Sequence, residues 1–526
     1  MKRQFVAVDK WLDQQQQWLL IMFLVLVSRL PTFFEPYWYG DEAIYLTIGN
    51  ALRHGEKLYL QIVDHKTPII YYLAMVGSQL NFRILMTAFM MVATISFFAI
   101  TQKILRNSLA RWVAVITFIL ATSTPFFEGN IPNGELVVMT FVLLGTAGLM
   151  YSATGKELLA SRPKIIAEKK DTLRLFLVGI LLSCGTLTKV PAIFDVAGVL
   201  LLWWFAFWRR SSETHHPSLQ NSVLQLLKAT APVIAGIVLP IIFSILYFML
   251  RGSGQAYLDF GLLYNFHYVG TWHVEYANKL IAFLFSMPGK LVFTTALLLI
   301  FTGKQRKLSP EVVWVGGWSL LSLFGATLSN RPYPHYFQQA VPALALMLGL
   351  FIDKIRTFSL THERTLLLQT SGVTTLVFGI LIFVMLTFRV TPYPVFEYYQ
   401  RFGSLITNKI STEDYRSQFD SLMTDNYNVT PVIMKNKNPQ IFIWGTNPTL
   451  YALTRKVPVG RFTVAFHIDD LHAHQETIDA VTRAKPEFIV VMKDQAPLPG
   501  LQELLMDNYL PNPNFTHFVL WRRWRN

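Results

Sequence analysis

Long apolar blocks separated by short charged loops dominate the first 388 residues of this chain. Leu173 to Cys184, Ala282 to Phe301 and Thr374 to Phe388 are examples. A helix needs about 20 apolar residues to cross the hydrocarbon core of a bilayer, and several blocks approach that length. The pattern predicts a polytopic α-helical membrane protein with about 11 transmembrane helices, near residues 18–34, 82–104, 110–127, 135–152, 173–188, 190–208, 229–250, 280–301, 311–328, 336–353 and 365–388.

Composition supports a membrane location. Of the 526 residues, 52% are hydrophobic and 15% are charged, whereas a soluble domain carries about 25% charged residues. The net charge is +14, but most basic residues lie in short loops between the apolar blocks, so nucleic acid is not expected as a partner. The one cysteine, Cys184, lies inside an apolar block and can form no disulfide within the chain.

The distribution of Lys and Arg predicts the orientation, because cytoplasmic loops of membrane proteins are enriched in these residues. With the N-terminus in the cytoplasm, the inner segments contain 21 Lys and Arg residues and the short outer loops contain 7. This topology puts two long segments, 35–81 and 251–279, and the tail 389–526 on the outer side. A large outer domain without disulfides favours a bacterial inner-membrane protein.

The first outer segment, 35–81, is predicted to contain two interfacial helices. Apolar residues at 44, 48, 51 and 52 follow helical spacing. Asp41 falls near the start of this helix, where the helix dipole favours a carboxylate. The apolar run 69–76 is too short to cross a membrane. The second outer segment, 251–279, is dense in aromatic residues and histidine, which is typical of an element at the membrane interface.

The tail, residues 389–526, has the character of a globular domain. Strand-like segments near 440–444, 487–492 and 516–521 alternate with helical segments near 448–454, 475–484 and 501–509. This alternation predicts a small extracytoplasmic α/β domain. Gly445 stands alone, without a GxGxxG motif, so a nucleotide-binding fold is not expected. The chain is therefore divided into a transmembrane module, 1–388, and a C-terminal domain, 389–526.

Four clusters of polar residues fall on the predicted outer side: Asp41-Glu42, residues 64–68, residues 128–135 and residues 329–337. Each has an ordinary structural explanation, because acids cap helices, lysines reach lipid headgroups and aromatic residues line membrane interfaces. Their convergence on one face favours a functional site, since a structural bundle does not need acids, histidines and an arginine on one side. Lysine and arginine suit a phosphate group, and histidine can bind a divalent metal.

The order of these residues resembles the GT-C superfamily of membrane glycosyltransferases, in particular the protein O-mannosyltransferases and the bacterial lipid A aminoarabinose transferases. The resemblance covers most of the chain, and the loop with the acid pair is its specific part. The residues that carry it are Arg29, Gly40-Asp41-Glu42-Ala-Ile-Tyr45, Gly55, Leu58-Tyr59, His65-Lys66-Thr67-Pro68, Tyr71-Tyr72, Arg83, Asn133-Gly-Glu135, Thr188-Lys189, Arg331-Pro-Tyr-Pro-His335-Tyr336 and, less specifically, Phe442-Ile-Trp-Gly-Thr-Asn-Pro448 with Tyr451.

The resemblance implies a GT-C-like catalytic module and an inverting glycosyltransferase that takes a sugar from a polyprenyl-phosphate donor. Asp41 matches the family's key acidic residue, which would act as the catalytic base. Lys66 matches a lysine that contacts the donor's phosphate. Arg331 and His335 match a late outer-loop motif near the same phosphate.

The remaining candidate residues have less specific roles. Those expected to position the acceptor or the sugar are Glu42, Asn133, Glu135 and Tyr336. His65 stands where relatives often carry Glu or Pro, which leaves a divalent metal as an open question; His267 or His273 would supply a second ligand. No other cofactor is required, because the sugar arrives on a lipid.

A polyprenyl-linked lipid flippase or secondary transporter is the main alternative. Such a protein is expected to carry ionisable residues through the centre of the helix bundle, and Asp195 is the main candidate there. A non-catalytic scaffold in envelope assembly is a third alternative. The residues leave the acceptor open among lipid A, another envelope glycan, a lipid and a protein.

Overall fold

The computed structural model describes residues 2–160, 163, 171–211, 219–272, 276, 278–304, 307–361, 364–436 and 439–524. The helices of the first 388 residues are α1 (Lys2–Arg29), α2 (Gly40–Arg53), α3 (Ile69–Leu73), α4 (Gln79–Ile104), α5 (Ser108–Ser123), α6 (Gly134–Met150), α7 (Ala153–Leu158), α8 (Thr172–Thr186), α9 (Ile193–Ser211), α10 (Leu219–Leu250), α11 (Gly254–Ala256), α12 (Tyr264–Gly270), α13 (Lys279–Phe285), α14 (Met287–Lys304), α15 (Pro310–Ala326), α16 (Val341–Thr361) and α17 (Arg364–Thr387). Short 3-10 turns lie at Leu30–Phe33, Ala74–Val76, Pro125–Phe127, Val190–Ala192 and Pro334–Ala340, and a π-helical turn lies at Tyr257–Leu263.

Every predicted transmembrane segment overlaps one of these helices. Within the described residues, five helices are long and apolar enough to cross a membrane, and six if the bent pair α13 and α14 counts as one span. That pair bends by 76° where Ser286 is extended and Pro288 enters the first turn of α14. The helices α5, α6 and α8 are apolar but only 15 to 17 residues long. The chain is thus an integral membrane protein, and the count of 11 spans stays a prediction.

The first outer segment contains both predicted helices, α2 and α3. The structure covers α2 on both faces, with residues 42–51 all buried, so it is not the one-sided surface helix that its spacing suggests. One face packs on α3, where a Cβ atom on Gly49 would lie 2.6 Å from the backbone of Ala74. A glycine is therefore required for this close approach.

The C-terminal domain is the predicted α/β domain, with one further strand. Its order is β1-β2-β4-β3, in which β1 and β2 are parallel and the other two pairs are antiparallel. Its helices and strands are α18 (Val395–Ile406), α19 (Thr412–Ser417), α20 (Leu422–Met434), β1 (Ile441–Trp444), α21 (Pro448–Thr454), α22 (Ala465–Asp470), α23 (His474–Ala484), β2 (Phe488–Met492), α24 (Leu501–Asn508), β3 (Tyr509–Asn512) and β4 (Phe518–Arg523). All four residues of β1 are buried, which explains their uninterrupted apolar sequence.

The C-terminal domain contacts the first outer segment directly. The backbone N–H of Val63 donates to the carbonyl of Arg461 at 2.8 Å, and the Val63 side chain joins the hydrophobic core of the domain. The Asn50 amide donates to the carbonyl of Arg455 at 3.0 Å, next to the contact between α21 and α2. The domain thus forms the outer cover of α2.

A buried arginine fixes the start of α2. The Arg83 side chain on α4 is 1% exposed and donates to both carboxylate oxygens of Glu42 at 2.7 and 2.6 Å. It also lies 3.7 Å from the carboxylate of Glu35 and donates to the carbonyls of residues 32, 35 and 36. The Tyr398 hydroxyl of α18 donates to Glu35. We call Arg83, Glu42 and Glu35 the Arg83 network.

The Arg83 network predicts a large stability effect. Replacing Arg83 by Ala leaves two carboxylates buried without their cation, which costs about 3–5 kcal/mol for such a pair. Thermal unfolding in one detergent should show a much lower midpoint for Arg83→Ala, and a smaller loss for Arg83→Lys, which keeps the charge without the planar fork. The exposed Arg106 provides the control, Arg106→Ala, which should unfold like the wild type. Equal midpoints for Arg83→Ala and the wild type would contradict the assigned role.

Candidate functional site

Asp41 and Lys66 lie side by side. Asp41 is in the first turn of α2 and its side chain is 28% exposed, whereas Lys66 is nearly buried. The Lys66 Nζ atom lies 3.4 Å from Asp41 Oδ2 and 3.9 Å from Asp64 Oδ2. The Tyr45 hydroxyl donates to Asp41 at 3.2 Å. The acid predicted as the base is therefore within reach of the lysine predicted to bind the phosphate.

Two tyrosines hold the backbone of Lys66 in place. The Tyr59 hydroxyl donates to the carbonyl of Lys66 at 2.8 Å, and the backbone N–H of Lys66 donates to the Tyr71 hydroxyl at 3.1 Å. Tyr71 in turn donates to Asp64 at 2.6 Å. Since all three side chains are almost fully buried, the loop presents Lys66 in a fixed position.

The charges of this group support one another. Burial alone would raise the pKa of Asp41, but Lys66 and His335 outweigh burial and hold this pKa below its ordinary value. Burial would lower the pKa of Lys66, whereas Asp41 and Asp64 raise it above its ordinary value. Burial would also raise the pKa of Asp64, which Lys66 and His65 hold well below its usual range. At neutral pH both acids and the lysine are charged.

Tyr268 joins the first outer segment to the late outer loop. Its ring stacks on the His65 ring, with centroids 4.6 Å apart. Its other neighbours are the Arg331 guanidinium, 4.3 Å from the ring centroid, and the Tyr336 hydroxyl, 3.3 Å from its own. One side chain of α12 thus connects three residues that lie far apart in the sequence.

Arg331 has a free guanidinium edge. It donates to Thr271 Oγ1 at 2.8 Å and lies over the Trp272 ring at 5.1 Å. Its buried Nε atom has no hydrogen-bond partner, and no carboxylate lies within 4.0 Å of it in the described part of the chain. An arginine held by aromatic rings and without an acid partner is well suited to bind an anion.

His335 and Glu128 form a buried pair. The Nδ1 atom of His335 contacts the carboxylate of Glu128, and the Tyr39 hydroxyl lies 3.0 Å from both groups. Burial would lower the pKa of His335, but Glu128 and Glu135 raise it above its ordinary value. Tyr39 comes directly before α2, and His335 helps Lys66 to lower the pKa of Asp41.

Glu135 and Tyr336 meet through a lysine. The Lys189 Nζ atom forms an ion pair with Glu135 and lies over the Tyr336 ring at 4.0 Å. Glu135 is in the first turn of α6, where the helix dipole favours an acid. The His335 ring lies 4.7 Å from the Tyr336 ring. The structure thereby brings into one connected set of contacts Asp41, Lys66, Arg331, His335, Glu135, Tyr336 and His65.

Glu42 and Asn133 are engaged in structural contacts. Glu42 is 0% exposed and belongs to the Arg83 network. Asn133 is the N-cap of α6, where its side chain accepts from the backbone N–H of Leu136 at 3.0 Å. Their positioning role for acceptor or sugar stays a prediction, and the geometry gives both an additional structural function.

Asp64, His65 and His467 form a candidate metal centre. Asp64 Oδ1 lies 3.0 Å from His65 Nδ1 and 3.4 Å from His467 Nε2, and the two nitrogens are 3.2 Å apart. A tetrahedral site with bonds of about 2.0–2.1 Å has edges of about 3.3 Å, so the three atoms match three of its corners. Asp64 Oδ1 and His467 Nδ1 are buried without hydrogen-bond partners.

The charge state also fits a metal. Burial lowers the pKa of His467 to about 4, although Asp64 opposes this, so the ring is neutral at pH 7, as a ligand must be. His267 is exposed and does not join this group in the described residues. His273, the other histidine suggested from the sequence, lies outside the described residues.

Sequence reasoning missed several members of the site. His467 comes from α22 in the C-terminal domain, 402 residues from its neighbour His65, and nothing in its local sequence marks it. Tyr268 lies in the second outer segment, where the sequence contains many aromatic residues but does not single out one of them. Glu128 belonged to one of the four polar clusters and Lys189 to the residues that carry the resemblance, but only the fold shows their partners.

Comparisons with known proteins agree with the predicted fold. No protein-family model matches the chain, and no curated protein matches it significantly. The crystal structure of ArnT from Cupriavidus metallidurans bound to undecaprenyl phosphate is similar over 96% of this chain and 97% of that chain, with a TM-score of 0.51 and 12% identity. The apo crystal structure of ArnT gives 98% and 98%, a TM-score of 0.50 and 11% identity. The chain thus shares the fold of ArnT, as the sequence predicts.

The metal centre can be tested without an activity assay. Protein exposed to Zn²⁺ or Mn²⁺ and then dialysed should retain about one ion per chain by elemental analysis. His467→Ala should lose most of it, because two ligands bind far more weakly than three. His474→Ala is the matched control, since His474 is a half-exposed histidine of the same domain, paired with Asp469. Equal metal content in the two variants would disprove the assignment.

Proposed function

We propose that the chain is an inverting glycosyltransferase, which moves a sugar from a polyprenyl-phosphate donor to an envelope acceptor on the outer face of the membrane. The observation that carries the proposal is that the partly exposed Asp41 lies beside Lys66. Arg331, which has no carboxylate within 4.0 Å among the described residues, belongs to the same set of contacts. A base next to two anion-binding cations is what transfer from a phosphate ester requires. The fold shared with a protein solved with undecaprenyl phosphate supports a lipid-linked donor.

In the proposed reaction, the acceptor hydroxyl attacks the anomeric carbon of the sugar while Asp41 takes the hydroxyl proton. The bond between the anomeric carbon and the phosphate oxygen breaks, and polyprenyl phosphate leaves with the electron pair. Lys66, Arg331 and the protonated His335 stabilise its negative charge. The configuration at the anomeric carbon inverts, because the acceptor attacks the face opposite to the departing phosphate.

The resting contacts suggest that donor binding activates the base. Lys66 is shared between Asp41 and Asp64, and its charge makes Asp41 a weak base. A donor phosphate that binds Lys66 supplies a competing negative charge. This raises the proton affinity of Asp41 once the donor is in place.

Other residues of the contact set would shape the site. Glu135 and Tyr336, joined by Lys189, would position the acceptor or the sugar. A divalent ion held by Asp64, His65 and His467 would supply positive charge and bind the C-terminal domain to the loop that carries Lys66. The domain would control access of the acceptor, which is a lipid, a glycan or a protein.

Transport of a lipid-linked sugar is the competing function. Asp195, the candidate ionisable residue of a transporter, is buried at the start of α9 and accepts hydrogen bonds from Trp318 and Ser322 of α15. These contacts give it a role in packing two helices. The Asp41 variant below separates the two functions, because a transporter has no need of a general base at the outer surface.

Loss of the Asp41 carboxylate should abolish transfer. We expect Asp41→Asn to lower sugar transfer at least 10²-fold, the range for removal of a general base, while donor binding persists. The measurement offers a panel of radiolabelled polyprenyl-phosphate sugars and a crude envelope extract to purified protein in nanodiscs. The control is Asp259→Asn, at an exposed acid of the second outer segment. Full transfer by Asp41→Asn, or lipid-linked sugar crossing the bilayer without transfer, would refute the proposal.

The pH dependence of transfer should follow the Lys66 charge. In the wild type Lys66 lowers the pKa of Asp41 against the effect of burial. The value of kcat/KM should therefore fall only at a pH below the ordinary pKa of an aspartate. In Lys66→Met less positive charge opposes the effect of burial on the pKa of Asp41, so the acidic limb of the kcat/KM profile should move to higher pH. The KM for the donor should also rise at least tenfold. Lys279→Met, at an exposed lysine, should leave the profile unchanged. An unmoved limb in Lys66→Met would exclude this coupling.

A further inference from the structure

A second cationic cavity lies at the other end of α2. It has a volume of about 170 Å³ and is lined by Lys57 and Arg251 together with Glu56, Tyr72 and Tyr247. Its volume corresponds to several water molecules at about 30 Å³ each. That is room for a phosphate group and part of its ester. No residue with a proposed catalytic role contributes to it.

The charges of the cavity favour a singly charged anion. Neither Lys57 nor Arg251 has a carboxylate within 4.0 Å among the residues that the structure describes. Glu56 contributes one negative charge to the lining, which leaves a net charge of +1. A phosphodiester carries one negative charge, so the lining matches a phosphodiester better than a phosphomonoester.

The surroundings indicate a lipid. Helix α10 leads into the cavity through Tyr247 and Phe248 and presents large apolar side chains to its exterior, including Phe243 at 68% and Leu250 at 89% exposure. Such exposure is expected of a surface in contact with acyl chains. Tyr72 and Tyr247 join their hydroxyls at 3.3 Å beside it, as aromatic residues do at headgroup level.

The cavity is distinct from the proposed catalytic site. It contacts α2 at Leu52, which lies 11 positions after Asp41, about 16 Å along the helix axis. Its inner wall is Phe248, which packs on the Tyr59 ring at 5.3 Å. Tyr59 holds the Lys66 carbonyl, so a single aromatic layer separates the two regions.

We propose that this cavity binds the headgroup phosphate of an anionic phospholipid, with Lys57 and Arg251 on the phosphate and the acyl chains along α10. The site would be a resident lipid site beside the catalytic region. It does not depend on the proposed glycosyl transfer, because binding is measured without turnover. Cation clusters between membrane helices that bind lipid headgroups are a recognised arrangement.

Photocrosslinking tests the proposal on the full chain. Protein in phosphatidylcholine nanodiscs that contain a photoreactive phosphatidylglycerol should crosslink within residues 247–253 or 52–58, as mapped by peptide mass spectrometry. The double variant Lys57→Gln/Arg251→Gln should reduce this crosslinking at least fivefold, and the charge-conserving Lys57→Arg/Arg251→Lys should retain it. Both positions are exposed, and unchanged thermal unfolding of each variant confirms that it is folded.

Two comparisons make the result specific. Lys103→Gln/Arg106→Gln removes the exposed Arg106 and a lysine that lies over another aromatic ring, Tyr151, and should leave crosslinking within twofold of the wild type. Unlabelled phosphatidylglycerol should compete, whereas inorganic phosphate should not. Undiminished crosslinking in Lys57→Gln/Arg251→Gln, an equal loss in the control, or equal competition by inorganic phosphate would overturn the proposal.

Discussion

The ion pairs between one buried guanidinium and two carboxylates set the geometry on which the rest of the site depends. Arg83 binds Glu42 with both oxygens and approaches Glu35. Successive residues of a helix differ in direction by about 100°, so fixing the side chain of Glu42 also fixes the direction of Asp41. The neighbouring acids therefore have separate tasks: Glu42 anchors the helix inside the protein, and Asp41 faces the cations of the proposed site.

Most basic side chains of the proposed site contact carboxylates. Lys66 lies between two acids, His335 contacts Glu128, and Lys189 pairs with Glu135. Arg331 stands apart, because aromatic rings and a hydroxyl hold it. In the proposed reaction, an arriving phosphate would meet Arg331, which has no carboxylate partner among the described residues, and Lys66, which must first be released from a carboxylate. Binding of the donor would thereby also activate the proposed base.

Local patterns predicted the parts of the fold that local physics decides. The apolar blocks gave the membrane helices, and the strand-like runs at β1, β2 and β4 lie within one or two residues of their predicted bounds. The strand β3, Tyr509–Asn512, escaped prediction because it contains Pro511 and pairs only at the sheet edge. The covered outer face of α2 also escaped, since its cover is α21, some 400 residues further along the chain.

The predicted site shows the same division. The proximity of Asp41 and Lys66 can be predicted from the sequence because both lie in one short segment, and their proposed roles stay a prediction. The position of Tyr268 between His65 and Arg331 depends on tertiary packing, and so does the approach of His467. Glu42 and Asp41 look equivalent as neighbouring acids, and only the location of Arg83 on α4 distinguishes them. Contacts between residues that are far apart in the sequence cannot be predicted from any one segment alone.

The contact between Val63 and Arg461 has a consequence for how the protein is made. The ribosome delivers the first outer segment to the membrane long before it has synthesised the strands and helices of the tail. Until then the Val63 side chain lacks its hydrophobic core, and the loop with Asp64, His65 and Lys66 lacks His467. Domains generally fold as units during synthesis, so the loop with Lys66 gains its contacts with Arg461 and His467 only after the C-terminal domain has been synthesised.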